Sequence, residues 1–453
     1  MITTYRSVRA VLLFIIIFGL SGCGGDSSTV DVADSSSVPP KNQLAIMSGS
    51  YGNDRGNSIA VDSAGNIVVA GYTEGSFDSG IKMGNSDLLL VKYDKNGSKM
   101  WSTQLGVTGA VTKATGVAID GASNVYVTGY TEGELDGHIT DGNREMFLVK
   151  FTPQGVKLWS RLLGETYAST EAHGVAVDSD SSVYVTGFSS KLVHPYAFDG
   201  NPFVGDTDTF LVKYRSNGDK VWSKLLGASS SYTGFPKTIG NGIAVDSSSN
   251  IYITGWTTGQ FDANDSSHWP YSSVFNAKFD VNGNLQWAKT FGSGTVASRA
   301  NGVAADNQGN TYIAGYNYNS HASLLLLKFD SNGNVQWSKE EQTATSDAVF
   351  QAVAVDASGN VYPTGYTQVA LDGNIVTGVG DIVVVKYGPN GDKKWQKQLG
   401  FSGVFMAGYG CAVGPESLYV TGSAYSHWDL TPSVVTSGTD MIIAGFDLSS
   451  GFH

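Results

Sequence analysis

Val117-Ala118-Ile119-Asp120, continued by Asn124-Val125-Tyr126-Val127-Thr128-Gly129-Tyr130, is one of seven copies of the same phrase. Five further copies begin at Ile59, Val175, Ile243, Val303 and Val353, and a degenerate one begins at Cys411. A second apolar run follows each, of which Leu88-Leu89-Leu90-Val91-Lys92-Tyr93 is the first. Six copies then close on a tryptophan: Trp101, Trp159, Trp222, Trp287, Trp337 and Trp395. Each unit therefore holds four short runs, a to d, rich in Val, Ile, Tyr, Phe and Thr and punctuated by Gly, Asn, Asp and Ser, the pattern of strands and turns. Turns such as Asp94-Lys95-Asn96-Gly97 carry a glycine able to adopt the positive φ of a tight hairpin. No stretch keeps a helical period, and the chain has 57 glycines. Four antiparallel strands recurring every ~50–60 residues predict a β-propeller.

Copy counting gives seven blades, but the seventh, ending in Met441-Ile442-Ile443-Ala444-Gly445-Phe446, has no d run after it. The stretch Leu44–Gly52 aligns with the segment from Trp101 to Gly106 and is expected to supply that strand, with Met47 in the tryptophan slot. The expected fold class is all-β: a seven-bladed propeller of four-stranded antiparallel blades, its ring closed by the N-terminal strand pairing in the last blade. Such closure removes an open sheet edge.

The repeated phrase resembles the bacterial beta-propeller repeat family, abbreviated SBBP, and is related in pattern to NHL-type propellers. The resemblance covers about residues 44–451. It implies a fold and no shared catalytic motif. The copy starting at Val303 departs most, reading Glu340-Glu341-Gln342 after Trp337 where others have Leu-Gly.

The N-terminus reads differently. Arg6 and Arg9 precede an apolar run from Ala10 to Phe18, and then come Leu20-Ser21-Gly22-Cys23. A basic start and a short apolar run describe a signal peptide, and the run is too short to span a bilayer. Leu-Ser-Gly-Cys resembles the lipobox of bacterial lipoproteins, which implies cleavage before Cys23 and its lipidation. The expected organisation is a signal peptide over 1–22, a lipidated Cys23 with a Gly/Ser/Asp/Pro-rich tether over 23–43, and the propeller over 44–453. The membrane is then a partner through the anchor, in the bacterial cell envelope. Gly24 is not the aspartate that resembles an inner-membrane retention signal, which favours the outer membrane or cell surface. The formal charge of −12 argues against nucleic acid as a partner. Cys411 is the other cysteine and fills an apolar slot of run a.

Spacing locates the candidate site. From the aspartate of run a to the aromatic slot of run b (Tyr72, Tyr130, Phe188, Trp256, Tyr316, Tyr366) the offset is always 10, and from the lysine of run c to the tryptophan it is always 9. The b–c and d–a connections vary, and in an up-and-down blade both lie on one face. Variable loops on a rigid scaffold are the usual place for binding residues. Five of seven histidines fall in b–c connections (His138, His194, His268, His321, His427), and His173 falls in a d–a connection. The same loops carry Asp78, Asp136, Asp199 and Asp372, with Phe198, Phe203, Tyr318 and others. Aromatics beside carboxylates suit a glycan or a peptide. The candidate ligand-binding set is His138, Tyr196, His268, Trp269, Tyr271 and Trp428. The recurring tryptophans are expected to pack between or within blades, the run-a aspartates to cap their turns, and the run-c lysines to lie along a neighbouring blade.

No nucleophile elbow, zinc-protease helix or phosphate loop occurs. No catalytic residue, metal or cofactor is assigned. The expected function is a lipid-anchored binding or scaffold protein recognising a polysaccharide or protein through its loop-rich face. The alternatives are a polysaccharide-active hydrolase or lyase, which needs a pair of carboxylates in a cleft, and a structural surface or adhesion element.

Overall fold

Strands b and c of each unit are buried on both faces, which is why they read as continuous apolar runs instead of alternating. They are the middle of a four-stranded antiparallel sheet, and seven such sheets form a ring. The computed structural model describes residues 28–29, 44–137, 143–166, 168–191, 197–229, 236–261, 271–341, 343, 345–426 and 438–450. Blade 1 comprises strands a Asp54–Val61, b Ile67–Thr73, c Asp87–Tyr93 and d Lys99–Leu105. Blades 2 to 6 follow over 112–163, 168–226, 238–291, 297–341 and 348–399. Blade 7 takes a Val404–Val413, b Ser417–Ser426 and c Thr439–Asp447 from the C-terminal end of the chain and d Ala45–Ser48 from the N-terminal end. The expected fold class holds in every part. Ser28–Thr29 adds a short fifth strand outside Ala45–Ser48.

The core lies between blades. Val68, Leu88 and Leu90 of blade 1 pack on Val117, Val127 and Phe147 of blade 2, and comparable clusters fill the other interfaces. The d-strand tryptophans belong to these joints, as expected. Gly155, Gly218, Gly283, Gly333 and Gly391, each in a c–d turn with φ near +80°, face the tryptophan ring of the preceding blade so closely that a Cβ would stand 2.8–3.1 Å from it. Glycine is required there twice, by φ and by space. Gly333→Ala is expected to lose about 2 kcal/mol from the backbone alone, with the clash on Trp287 added, read as a lowered urea midpoint. An unchanged midpoint would show that the turn relaxes freely.

The a–b turns behave as the sequence suggests. Asp120 accepts the backbone N–H groups of Ala122 and Asn124 at 3.0 and 2.8 Å, and Asp246, Asp306 and Asp356 repeat the arrangement. In blades 2 to 6 the turn aspartate also takes the hydroxyl of a strand-b tyrosine, as Tyr126 to Asp120 at 3.1 Å. The strand-c lysine lies on that ring and in three of these blades donates to a carbonyl of the next c–d turn, as Lys150 to Ser216 at 3.0 Å, while Lys386 of blade 6 donates to Leu448 just after strand c of blade 7.

The closing strand pairs as expected but in a different register. Ala45 stands opposite Ala444 and Met47 opposite Ile442, and Gly445 donates to the Leu44 carbonyl at 2.7 Å. In blade 1, Trp101 stands opposite Lys92 and Ser102 opposite Val91. Leu44, not Met47, therefore occupies the tryptophan slot. The reason is the apolar pattern: this register buries Ile46 at 1% exposure against the c–d turn of blade 1, where Leu44 and Ile46 crowd Gly97.

Two carboxylates meet at this seam. Asp54 begins strand a of blade 1 where blades 2 to 4 have Thr112, Thr170 and Thr238. It accepts the backbone N–H of Ser50 at 2.5 Å and bonds the Ser50 hydroxyl. Burial raises its pKa. Asp440 faces it, and burial together with the charge of Asp54 lifts Asp440 to about 6. A carboxyl whose pKa is raised on folding binds its proton more tightly in the folded chain. Its stabilising effect is therefore present at low pH and fades as pH rises through the folded value. The melting temperature is expected to carry a component that falls between about pH 4 and 6 and then levels, and Asp440→Asn should remove it. A variant whose profile parallels the parent's would rule this out.

Candidate functional site

Strand a lines the central channel in every blade, and each carries one extra residue in the form of a β-bulge. The bulged residues are Asn57, Thr115, His173, Asn241, Asn301, Gln351 and Tyr409, all five positions before the turn aspartate or its equivalent. Five of them tie their blade to the next. Asn57 donates to the Ala114 carbonyl at 2.7 Å, Thr115 to Ala172 at 2.7 Å, Asn241 to Ala300 at 2.8 Å and Asn301 to Phe350 at 2.9 Å, while His173 Nδ1 lies 3.0 Å from the Gly240 carbonyl. His173 thus sits inside a strand, in the channel wall, and not in a connection as its sequence position suggested. Burial lowers its pKa, leaving a neutral ring as a structural hydrogen-bonding group. Cys411 also lines the channel, and burial pushes its thiol up.

The bulged residues and their strand-a neighbours line a channel cavity of about 620 Å³. Two residues of the aromatic slot of strand b, Tyr72 and Tyr130, also line it, and the other blades place their slot residues at the equivalent position. Tyr72, Tyr130, Phe188, Trp256, Tyr316 and Tyr366 are each partly exposed beside buried neighbours. Their strand-a partners, seven positions before the turn aspartate, are Arg55, Lys113, Glu171, Ile239, Arg299 and Val349. The cations lie on aromatic faces of the preceding blade: Lys113 3.8 Å over Tyr72 and Arg299 4.4 Å over Trp256. Blade 7 has Ser423 in the slot, and Arg55 instead stacks on Tyr409 at 3.5 Å. Arg144 lies over Tyr130 and is held by Glu171 at 2.8 Å and Glu132 at 3.0 Å. Burial raises the pKa of Tyr72, Tyr130 and Tyr366, so these hydroxyls stay protonated and available as donors.

This aromatic and cationic collar escaped the sequence reading, which used the aromatic slot as a ruler. Its signal was the constant offset of 10 combined with a cation seven residues before the turn aspartate, at Arg55, Lys113 and Arg299.

The loop residues fare differently. Of the candidate set, His138, Tyr196, His268, Trp269 and Trp428 lie outside the described residues, as does Cys23. Tyr271 is 46% exposed just before strand c of blade 4 and does not line the channel cavity. Phe198, read as a stacking surface, is fully buried and packs on Phe210. Phe203 is partly buried against the same cluster. The loop aspartates are committed elsewhere. Asp78 takes Lys99 at 2.5 Å and the Ser102 hydroxyl at 2.6 Å, Asp136 pairs with Lys157 and Ser160, Asp199 with Lys220, and Asp372 with Lys393 at 2.6 Å. Each has positive φ and follows a buried anchor: Phe77, Leu135, Phe198 or Leu371. They fasten the b–c loop to strand d, which accounts for the recurrence of carboxylates there. Among the described residues no group of three or more metal-ligating side chains converges.

A beta-propeller repeat model, SBBP, matches residues 43–78, 101–136, 158–190 and 221–262. The chain carries SBBP repeats. The first SBBP match begins beside Leu44 and the second at Trp101, so the closing strand is itself part of a repeat. An uncharacterised WD repeat-containing protein of Acanthamoeba polyphaga mimivirus is 25% identical over 206 residues, 37% of this chain and 14% of that protein. The regulatory protein FlaEY of Caulobacter vibrioides is 26% identical over 209 residues, 43% of this chain and 22% of that protein. The match thus spans less than a quarter of either relative's length. Among solved structures, an ulvan lyase of a polysaccharide lyase family is 11% identical over 87% of this chain and 97% of its own, with a TM-score of 0.49. A protein of unknown function from Dyadobacter fermentans is 9% identical over 73% of this chain and 94% of its own, with a TM-score of 0.44. At these identities and scores neither likeness assigns a reaction or a ligand.

Proposed function

We propose that the protein is a non-catalytic binding module that recognises a polymer, a polysaccharide before a protein, at the channel mouth on its loop-rich face. One observation carries the reading: partly exposed rings and cations, Tyr72, Tyr130, Tyr409, Arg55 and Lys113, line a cavity in the channel, and the connections that vary most in length between repeats lie on one face of the ring. Flat rings with hydroxyl donors suit pyranose faces and edges. Loops of unequal length around them suit an extended ligand that rests on one side of the rim. We further infer that Cys23 carries a lipid, so that the module is displayed from the bacterial envelope on the tether over 23–43.

The test is binding of the full chain to an array of envelope and extracellular polysaccharides, with Tyr130→Ala and Trp256→Ala as probes of the collar. Each variant is expected to weaken binding about tenfold or more, since stacking at a partly desolvated ring contributes on the order of 1 kcal/mol beyond its buried area. Binding unaffected by both changes would move the site off the channel mouth. Release of shortened or unsaturated products from a bound polymer would overturn the non-catalytic part. Incorporation of a fatty-acid analogue that Cys23→Ser abolishes is the expected result for the anchor.

A further inference from the structure

The charged side chains lining the channel cavity are Arg55 and Lys113, with no carboxylate among the described lining residues, in a chain of net charge −12. They hold equivalent positions in adjacent blades and share Tyr72. Arg55 is its register partner, and the Lys113 ammonium lies 3.8 Å over its ring. Arg144, by contrast, is paired with Glu132 and Glu171, and Lys113 has Glu74 only at 3.9 Å. Arg55 has no carboxylate partner among the described residues, and its Nε is buried without a hydrogen-bond acceptor. A buried guanidinium N–H with no acceptor is unfavourable, and strand register holds this side chain beside a second cation.

We propose that Arg55 and Lys113, with the Tyr72 hydroxyl, form an oxyanion subsite that takes the carboxylate or sulfate of an acidic sugar residue. The inference rests on the binding reading above and names the ligand's chemistry. An oxyanion in the cavity accepts hydrogen bonds from the Arg55 guanidinium and the Lys113 ammonium, and its charge offsets the two cations that strand register sets side by side. Tyr409, stacked 3.5 Å from the Arg55 guanidinium, fixes the plane of the fork, and a planar fork matches a two-oxygen acceptor. The acidic surface elsewhere disfavours a polyanion lying along the molecule. The subsite therefore receives one anionic group, presented end-on, while neighbouring sugars meet the aromatic collar.

The experiment titrates the full chain by calorimetry with four probes: tetragalacturonate, a sulfated tetrasaccharide, maltotetraose and tetraglutamate. The expected result is preference for an acidic saccharide over maltotetraose by at least tenfold. Arg55→Gln should abolish that preference and Arg55→Lys should restore part of it, with melting temperatures showing that both variants fold. Carboxylate or sulfate as the better group identifies the source of the oxyanion and supports the subsite either way. Equal binding of maltotetraose, unchanged in Arg55→Gln, overturns the subsite and leaves the binding module standing. Preference for tetraglutamate overturns the saccharide assignment. Failure of all four probes overturns the subsite, and the array measurement above then decides the broader reading by itself.

Discussion

A chain that starts at residue 49 is expected to lose its cooperative unfolding transition, whereas one that starts at residue 44 keeps it. The closing strand differs in kind from the other d strands. Positions that are Arg161, Lys224, Lys289, Lys339 and Lys397 in blades 2 to 6 become Ile46 in blade 7, and the tryptophan becomes Leu44. Ile46 is buried against Ile443 of blade 7 and Ile59 of blade 1, so it joins the two blades that sequence order leaves furthest apart. Its loss exposes the edge of the strand Thr439–Asp447 and one side of the blade 1 joint together. A whole domain is stable by only ~5–15 kcal/mol, and Ile46→Ala alone is expected to remove about 2–5 kcal/mol. The full deletion is expected to leave an open, aggregation-prone edge. Near-ultraviolet dichroism and urea melts on the two truncations decide it, and a peptide covering residues 42–52 should restore the transition in trans. Equal midpoints for the two truncations would mean that the ring does not depend on this strand.

Most of the architecture was legible because a propeller repeats its instructions. Six copies of a turn aspartate, a fixed offset to an aromatic and a fixed offset to a tryptophan, with a degenerate seventh, leave few other folds. What repetition hides is the use made of each repeated position. The aromatic slot looked like a spacer because its offset is constant in six copies, yet two of its rings, Tyr72 and Tyr130, line the channel. The loop aspartates looked like ligand groups because they are polar and stand in variable connections. Their positive φ and the lysine twenty-one residues on, in strand d, tie them to the scaffold. His173 misled for a related reason: a bulge shifts one residue of strand a out of alternation, so no period-two pattern marks it as lining the channel. The three-residue slip at the closing strand came from seeking a large side chain for the tryptophan slot. Burial chose the register instead, setting Ile46 inward.

The same logic singles out blade 1 for the remaining large effect. In blades 2 to 6 a tyrosine hydroxyl satisfies the turn aspartate and the lysine rests on that ring. Blade 1 has Val68 in the tyrosine position, opposite Lys92. With no hydroxyl to accept from, Asp62 draws Lys92 to 2.9 Å, both side chains being 3% exposed. Burial raises the Asp62 pKa, but the hydrogen bonds of Asn66 and Lys92 outweigh it and hold the carboxyl below its ordinary value. Lys92→Met leaves that carboxylate buried with its countercharge gone and is expected to lose about 3–5 kcal/mol. Lys328→Met, where Tyr312 still serves Asp306 and the lysine donates to an exposed carbonyl, should lose under about 1 kcal/mol. Asp62→Asn combined with Lys92→Met should recover most of the loss, because no charge is then left in the joint. The pH dependence separates this from lost packing. Without Lys92 the folded Asp62 carboxyl rises from its lowered value, so protonation costs the variant less than the parent and the deficit of Lys92→Met shrinks as pH falls towards 4. A deficit that stays constant from pH 7 to 4 would assign the effect to the lysine's methylene packing, and the ion pair would then contribute little beyond the Asx turn that Asp62 already makes.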